Sequence, residues 1–132
     1  MATYAITTAI IKRDGKLLIA KRAATKRFAP GQWEFIAGFM DTPGSAEENI
    51  LREIKEELGV DAEVASSLPV FQMTDAEGVW VIIPFEVRLK AANIQLNPHD
   101  HSEIKWVTKD ELSQFTELKP FLDDPSFSDA LT

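Results

Sequence analysis

Cysteine is missing from this chain of 132 residues. Its absence excludes a disulfide framework, a thiol nucleophile and a zinc site built on cysteine thiolates. Long apolar stretches are missing too, since no run approaches the roughly 18 residues that a membrane-spanning helix requires. The N-terminal segment lacks the basic start and cleavage site of a signal peptide, because Tyr4–Ile11 leads directly into Lys12 and Arg13. From these absences we expect a cytoplasmic protein with no membrane partner.

Positive charge is also scarce, with 14 lysines and arginines against 21 acidic residues and a net charge of −7. Nucleic acid polymers are bound by broad basic surfaces, so we expect no such partner. A small phosphorylated ligand is still compatible with this charge if a local basic patch receives it. Six basic residues, all within the first 27 positions, form a candidate patch or, alternatively, a scattered solvated surface: Lys12, Arg13, Lys21, Arg22, Lys26 and Arg27.

Hydrophobic patterns predict an α+β domain over residues 1–132, with a mixed β-sheet flanked by helices. Thr3–Ile11 and Leu17–Ala20 are predicted strands joined by a turn at Asp14-Gly15. The longest apolar run, Val79–Leu89, predicts a buried central strand. The predicted strands and extended segments that follow are Trp33–Gly38, Val60–Val70, Phe71–Thr74, Val79–Leu89 and Glu103–Val107, with a short helix over Lys109–Phe115.

Two features of the second half carry further expectations. Pro84 interrupts the central strand and indicates a bulge or an edge position, because proline cannot donate to a β-ladder. The segment Pro120–Thr132 is acidic and rich in serine, aspartate and proline, which is typical of a partly disordered, flexible tail.

The best-defined element is a helix over Ala46–Leu58. Ser45 and Glu48 match a capping box at its start, and Gly59 occupies the position at which glycine ends a helix. A helical wheel places the aliphatic side chains on one arc, which is expected to face the core: Ala46, Ile50, Leu51, Ile54 and Leu58.

Three glutamates, Glu53, Glu56 and Glu57, lie beside that apolar arc. They are unfavourable for a helix, because like charges at i,i+4 cost a few tenths of a kcal/mol. Anions in the last turn also oppose the helix dipole by roughly 0.3–1 kcal/mol each. A divalent cation would offset this cost, since Mg²⁺ and Mn²⁺ prefer carboxylate oxygens. The alternative is a solvated acidic face on which Arg52 pairs with Glu56.

The spacing around this helix carries a resemblance. The segment Gly38-x13-Arg52-Glu53-Ile54-x-Glu56-Glu57-x-Gly59-Val60 resembles the Nudix box, G-x5-E-x7-R-E-U-x-E-E-x-G-U, where U is a bulky aliphatic residue. Eight of the nine specified positions match, and the first glutamate of the box is replaced by Gly44. The wider resemblance includes Gly31-Gln32-Trp33 before the box and Trp106-Val107 after it.

Resemblance to the Nudix hydrolase family (MutT-like) implies an α/β/α sandwich in which the box forms a loop–helix–loop. It also implies attack by water on a phosphorus of a nucleoside diphosphate linked to another group, with Mg²⁺ or Mn²⁺ as cofactor. Carried over by position, Glu53, Glu56 and Glu57 become metal ligands. Arg52 then orients a neighbouring glutamate, and Gly38 lets the backbone approach the metal or a phosphate.

The box does not identify a general base. Asp100-His101-Ser102-Glu103 resembles the acidic segment that precedes the tryptophan strand in many Nudix sequences. Glu103 or Asp100 is therefore a candidate base or additional metal ligand, with a solvated loop carboxylate as the alternative. His99 and His101, the two histidines of the chain, are interpreted as polar surface.

Substrate contacts are predicted from the basic patch and the aromatic residues. Arg22 is the first candidate for phosphate, with Lys21 and Arg27 behind it, because a planar guanidinium matches phosphate oxygens. Phe28, Trp33 and Trp80 are candidates for stacking on a nucleobase or, alternatively, for wall packing.

The resemblance implies a small-molecule nucleotide substrate, either a nucleoside triphosphate or a related nucleoside diphosphate compound. A sugar nucleotide, a dinucleoside polyphosphate and a pterin triphosphate stay open within the same chemistry. Gly44 and the acidic surface suggest a second class, a catalytically weak or inactive nucleotide-binding or regulatory module. The family's isomerase branch, which acts on allylic diphosphates, is disfavoured because the cysteine usual there is absent. A monomer and a homodimer are both compatible with the sequence.

Overall fold

A computed structural model describes residues 1–132. The strands, in chain order, are β1 Ala2–Arg13, β2 Lys16–Arg22, β3 Trp33–Glu34, β4 Ile36–Phe39, β5 Ala62–Ser67, β6 Phe71–Asp75, β7 Gly78–Leu89 and β8 His101–Val107. The helices are α1 Ala46–Leu58, α2 Lys119–Leu122 and α3 Pro125–Ala130, with 3₁₀ turns at Asp110–Gln114 and Thr116–Leu118. None of the three helices has the length and the apolar character of a membrane span.

The sheet is organised around β1. This strand runs parallel to β7 along most of its length and pairs antiparallel with β4 on its other side. Beyond a turn in which Asp14 and Gly15 both have positive φ, β2 pairs with β1, β3 and β8. On the far side of β7 lie β5 and β6, both antiparallel to it. The mixed sheet with flanking helices, predicted from the sequence, is confirmed.

Two hydrophobic cores cover opposite faces of the sheet. Because side chains alternate along a strand, Ile11 of β1 contributes to one core and its neighbour Ile10 to the other. The first core lies under α1, where Ile50, Ile54 and Leu58 are fully buried. This packing fixes the rotation of α1, and therefore fixes which side chains of α1 point away from the core.

The bounds and both caps of α1 agree with the sequence prediction. Ser45 accepts a hydrogen bond from the backbone of Glu48, whose carboxylate accepts one from the backbone of Ser45. Gly59 ends the helix at φ 70°, a left-handed conformation that suits glycine.

The prediction of an edge position for Pro84 is wrong, because β7 is paired on both sides. Pro84 pairs with Thr8 of β1, and on its other side the antiparallel partner changes from β5 to β6. β5 pairs with residues of β7 from Leu89 to Phe85, and β6 pairs with residues of β7 from Ile82 to Gly78. The missing N–H of proline falls at this change of partner, where it interrupts neither ladder.

The flexible tail predicted over Pro120–Thr132 is also corrected. These residues form most of α2 and all of α3, and Asp124 caps α3 by accepting from the backbone of Phe127 at 3.0 Å. Phe127 is 1% exposed and packs with Leu131 into the second core. The polar composition concealed these few apolar anchors, whose partners lie far away in the sequence.

Candidate functional site

A cleft of about 620 Å³ opens where β4 meets α1. Its walls come from β1, β3, β4, α1, the loop after β2, the hairpin of β6 and β7, the segment that leads into β8, and residues 117–121. The predicted residues that line it are Arg22, Arg27, Phe28, Trp33, Gly38, Glu53, Glu57, Trp80 and Asp100. Glu34 and His101, which were not predicted as site residues, also line it.

Glu53 and Glu57 reach the cleft from the same face of α1, because residues four apart in a helix lie one above the other. Glu53 crosses β4 so closely that a Cβ atom on Gly38 would lie 2.2 Å from its Cγ. Only glycine fits at this point of β4. The approach of the Gly38 backbone to a metal or a phosphate stays a prediction, and in the structure the group that lies against Gly38 is the Glu53 side chain.

Burial gives these two carboxyl groups unusual electrostatics. Burial raises the pKa of Glu57 well above its usual range, and the nearby charges of Glu34 and Glu53 raise it further. Burial also raises the pKa of Glu53, with a contribution from Glu56. Glu57 is only 5% exposed, and its Oε2 has no hydrogen-bond partner. A buried, unpaired oxygen among other acids is costly unless positive charge compensates it.

His101 lies beside Glu57 and is 1% exposed, so its interpretation as polar surface is wrong. Its Nε2 is 2.8 Å from Oε2 of Glu34, and its Nδ1 is 3.5 Å from Oε1 of Glu57. Ligand atoms of Glu34, Glu57 and His101 lie within 4.8 Å of one another and could hold a metal ion. His99, in contrast, is exposed, as predicted.

The sequence contains only a weak signal for Glu34 and His101. Glu34 alternates with Phe35, which is buried in the core, so Glu34 points to the opposite side of the chain. The sequence predicts a strand that begins at Glu103, whereas β8 begins two residues earlier, at His101. Nothing in the sequence indicates that these two residues meet.

The guanidinium of Arg22 is already occupied by protein groups. Its Nη1 lies 3.1 Å from both carboxylate oxygens of Glu34, and its Nε donates to the carbonyl of Phe28 at 2.8 Å. Arg22 therefore supports Glu34 and the loop after β2, and its contact with a phosphate stays a prediction. Lys26, in the same loop, pairs with Asp100 at 2.7 Å. Arg27 lines the cleft without any ion pair, over the ring of Phe28.

Four predicted residues lie outside the cleft. Glu56 is rotated by about 100° from Glu57 on α1, and its side chain is 58% exposed. The side chain of Glu103 is 51% exposed and lies 3.9 Å from that of Lys21, and neither residue lines the cleft. Arg52 donates to Asn49 and lies 3.9 Å from Glu56, so it contacts a glutamate that does not enter the cleft.

Aromatic side chains form another part of the cleft wall. Phe28, Phe39 and Trp80 line it, and the ring of Tyr4 stacks against Trp80 with centroids 4.4 Å apart. The indole N–H of Trp80 donates to Asp75 at 2.9 Å, and this hydrogen bond lowers the pKa of the Asp75 carboxyl. Trp80 is thereby held in a fixed orientation.

Trp33 lies apart from this aromatic group. Its ring packs on Phe115 with centroids 5.6 Å apart, and the ammonium of Lys105 lies 5.1 Å from its centre. Much of the ring surface of Trp33 is therefore used in packing, which favours the wall-packing alternative for this residue.

The loop before α1 explains the missing glutamate of the box. Gly44 has φ 130°, a conformation that a glutamate side chain rarely allows. The nearest acid, Glu48, uses its carboxylate in the capping box of α1. Asp41, at the start of the same loop, lines the cleft, and its charge contributes to the raised pKa of Glu53.

Comparison with known proteins finds related chains. The NUDIX domain matches residues 1–128. The CTP pyrophosphohydrolase of Escherichia coli K12 is 31% identical over 120 residues, which cover 87% of this chain and 83% of that protein. The nucleoside triphosphatase NudI of Enterobacter sp. strain 638 is 28% identical over 124 residues, with 86% and 87% covered. The crystal structure of a MutT protein from Methanosarcina mazei Go1 superposes with a TM-score of 0.77 at 22% identity, covering 85% of this chain and 81% of that chain.

Proposed function

Because the chain belongs to the NUDIX domain family, we propose that it cleaves, with a divalent metal ion, a diphosphate linkage of a nucleoside triphosphate or a related nucleoside diphosphate compound. The family and the class of Nudix pyrophosphohydrolase predicted from the sequence are confirmed. The substrate class draws support from the names of the relatives, which hydrolyse CTP and nucleoside triphosphates.

The observation that carries the metal dependence is the buried, unpaired carboxylate of Glu57 beside Glu53. Two carboxylates on one helix face, with glycine at the point of closest approach, fit a divalent ion. Glu53 and Glu57 would hold it. Mg²⁺ or Mn²⁺ would neutralise phosphate charge and make water a better nucleophile there.

The remaining cleft residues suggest how a nucleotide is oriented. Arg27, which has no ion-pair partner, is the group best placed to receive a phosphate. Phe28 and Trp80 offer ring surface for a nucleobase. The polyphosphate would then extend from these rings towards Glu53 and Glu57.

Asp100 is the candidate for the proton-accepting group. It lines the cleft near Glu57, and Lys26 holds its side chain in place. Glu103, the other acid considered from the sequence, lies outside the cleft. We therefore assign to Asp100 the role of accepting a proton from the attacking water or of supporting the metal.

The test is a panel of nucleotides assayed for released pyrophosphate or phosphate with Mg²⁺ and with Mn²⁺. We expect turnover of at least one nucleoside triphosphate or diphosphate compound, and its loss with a chelator. Glu57→Gln should lower kcat by at least about 100-fold, because it removes a charge that holds the ion. Glu47→Gln, an exposed change on the same helix, is the matched control. Wild-type rates in Glu57→Gln would remove this carboxylate from the mechanism.

Gly44 favours one alternative, a nucleotide-binding module with little or no turnover. The conformation of Gly44 disfavours a glutamate at this position, so the loop before α1 offers the cleft only the exposed Asp41. Saturable nucleotide binding with no turnover across the panel, in either metal, would establish this alternative and overturn the hydrolase proposal.

A further inference from the structure

The pair formed by His101 and Glu34 fixes the proton on one ring nitrogen. Nε2 of His101 lies 2.8 Å from Oε2 of Glu34, whose two oxygens also accept from Arg22. A carboxylate held in this way only accepts hydrogen bonds, so Nε2 must donate. In the neutral ring, Nδ1 is then left with an exposed lone pair.

That lone pair points towards another acceptor. Nδ1 of His101 lies 3.5 Å from Oε1 of Glu57 and has no hydrogen-bond partner. The second oxygen of Glu57 is also unpartnered. Both side chains are more than nine-tenths buried, so water does not solvate them freely. Two buried acceptors at this distance are stable only if a positive group lies between or beside them.

We propose that His101 is a nitrogen ligand, through Nδ1, of the divalent ion that Glu57 binds, and that Glu34 is the carboxylate that orients its imidazole. This inference rests on the proposed function, because it takes a metal ion at Glu57 as given. Histidines that bind metals almost always donate their other N–H to a carboxylate, a carbonyl or a water. The contact between His101 and Glu34 has this arrangement, and Arg22 fixes Glu34 in turn.

The identity of the ligand has a consequence for the preferred metal. An all-carboxylate site suits Mg²⁺, whereas imidazole raises the relative affinity for transition metals such as Mn²⁺ and Co²⁺. The site therefore binds Mn²⁺ in preference to Mg²⁺ by a margin that depends on His101. The alternative occupant of the space between His101 and Glu57 is a proton shared by the two side chains. In that case the preference for Mn²⁺ over Mg²⁺ would not depend on His101.

The direct test is pulsed EPR of Mn²⁺ bound to protein labelled with ¹⁵N-histidine. The chain has only two histidines, and His99 is exposed, so His99→Gln leaves His101 as the single labelled residue. We expect a ¹⁵N coupling of the size that a directly bound imidazole produces. Bound Mn²⁺ without this coupling overturns the proposal and favours the shared proton.

Calorimetric titration of metal ions, without substrate, gives an independent measurement. His101→Gln should weaken Mn²⁺ binding by at least about 10- to 100-fold and Mg²⁺ binding by less, and Glu34→Gln should weaken Mn²⁺ by about 10-fold or more. Equal losses for both ions would show a general structural effect and contradict the proposal. Circular dichroism checks that each variant folds. The EPR measurement does not require substitution of His101, so a folding failure leaves it decisive.

Glu57→Gln separates the two proposals. If Mn²⁺ binds this variant as it binds the wild type, the metal site of the proposed function is itself wrong. If Glu57→Gln loses Mn²⁺ while the wild type shows no ¹⁵N coupling, the metal site stands and only the role of His101 is refuted.

Discussion

Replacing Glu57 by glutamine tests the electrostatics of the cleft without any substrate. Burial raises the pKa of Glu57 above 4.5, the ordinary value for glutamate, and neighbouring carboxylates raise it further. An acid with a higher pKa in the folded state binds its proton more tightly there than in the unfolded chain. The metal-free protein therefore loses stability as the pH rises from the unfolded to the folded pKa of Glu57, and this loss persists at higher pH. Glutamine removes that loss.

The size of the effect follows from the unpaired oxygen. A buried polar group without a partner costs about 1–3 kcal/mol. The amide of a glutamine at this position can instead donate to Nδ1 of His101, which also has no partner. For a chain of this length, each kcal/mol moves Tm by about 3–5 °C. We expect Glu57→Gln to raise Tm by at least about 4 °C in metal-free buffer near neutral pH.

Thermal unfolding followed by circular dichroism measures this difference. Glu56→Gln, the same chemical change at an exposed neighbouring position, should change stability by no more than about 0.5 kcal/mol. The difference in Tm between Glu57→Gln and the wild type should become smaller at mildly acidic pH, where Glu57 takes up its proton. Added Mn²⁺ should stabilise the wild type and leave Glu57→Gln almost unchanged. A lower Tm for Glu57→Gln than for wild type in metal-free buffer would refute the reasoning.

Three further substitutions test other parts of the structure. Gly38→Ala should displace Glu53, because the added Cβ would lie 2.2 Å from Cγ of that side chain. We expect a lower kcat and a loss of about 1–3 kcal/mol in the free energy of unfolding. An unchanged kcat would contradict the close packing of Glu53 on Gly38. Asp75→Asn should weaken the hydrogen bond that holds the ring of Trp80. Steady-state kinetics should then show KM for the nucleotide raised several-fold, with little change in kcat. An unchanged KM would show that Trp80 does not contact the base. Phe127→Ala should lower the free energy of unfolding, measured with urea, by about 3–5 kcal/mol, because Phe127 is buried. An unchanged free energy of unfolding would support the prediction of a flexible tail.

Features encoded by neighbouring residues could be predicted from the sequence. Helix α1 has its predicted bounds because its capping box and its terminal glycine act within a few residues. Its apolar period fixes which face is buried, and that in turn places Glu53 and Glu57 on one side. The spacing from Gly38 to Val60 then carried the family resemblance that the comparison confirmed.

Contacts between distant residues were decided only by the tertiary structure. Glu34, Glu57 and His101 come from three separate elements and meet because β1, β2 and β8 bring those elements together. The same assembly places the guanidinium of Arg22 beside Glu34.

The C-terminal segment shows the same division between local and distant information. Its composition is polar, yet Phe127 finds an apolar partner in Phe35, whose ring centroid lies 5.1 Å away. Periodicity and capping report local backbone preferences, and they contain no information on which faces of distant strands will pack together. The sequence by itself therefore predicted the group of Glu53, Glu56 and Glu57 on α1. The tertiary structure decided that only Glu53 and Glu57 line the cleft and that a histidine lies beside Glu57.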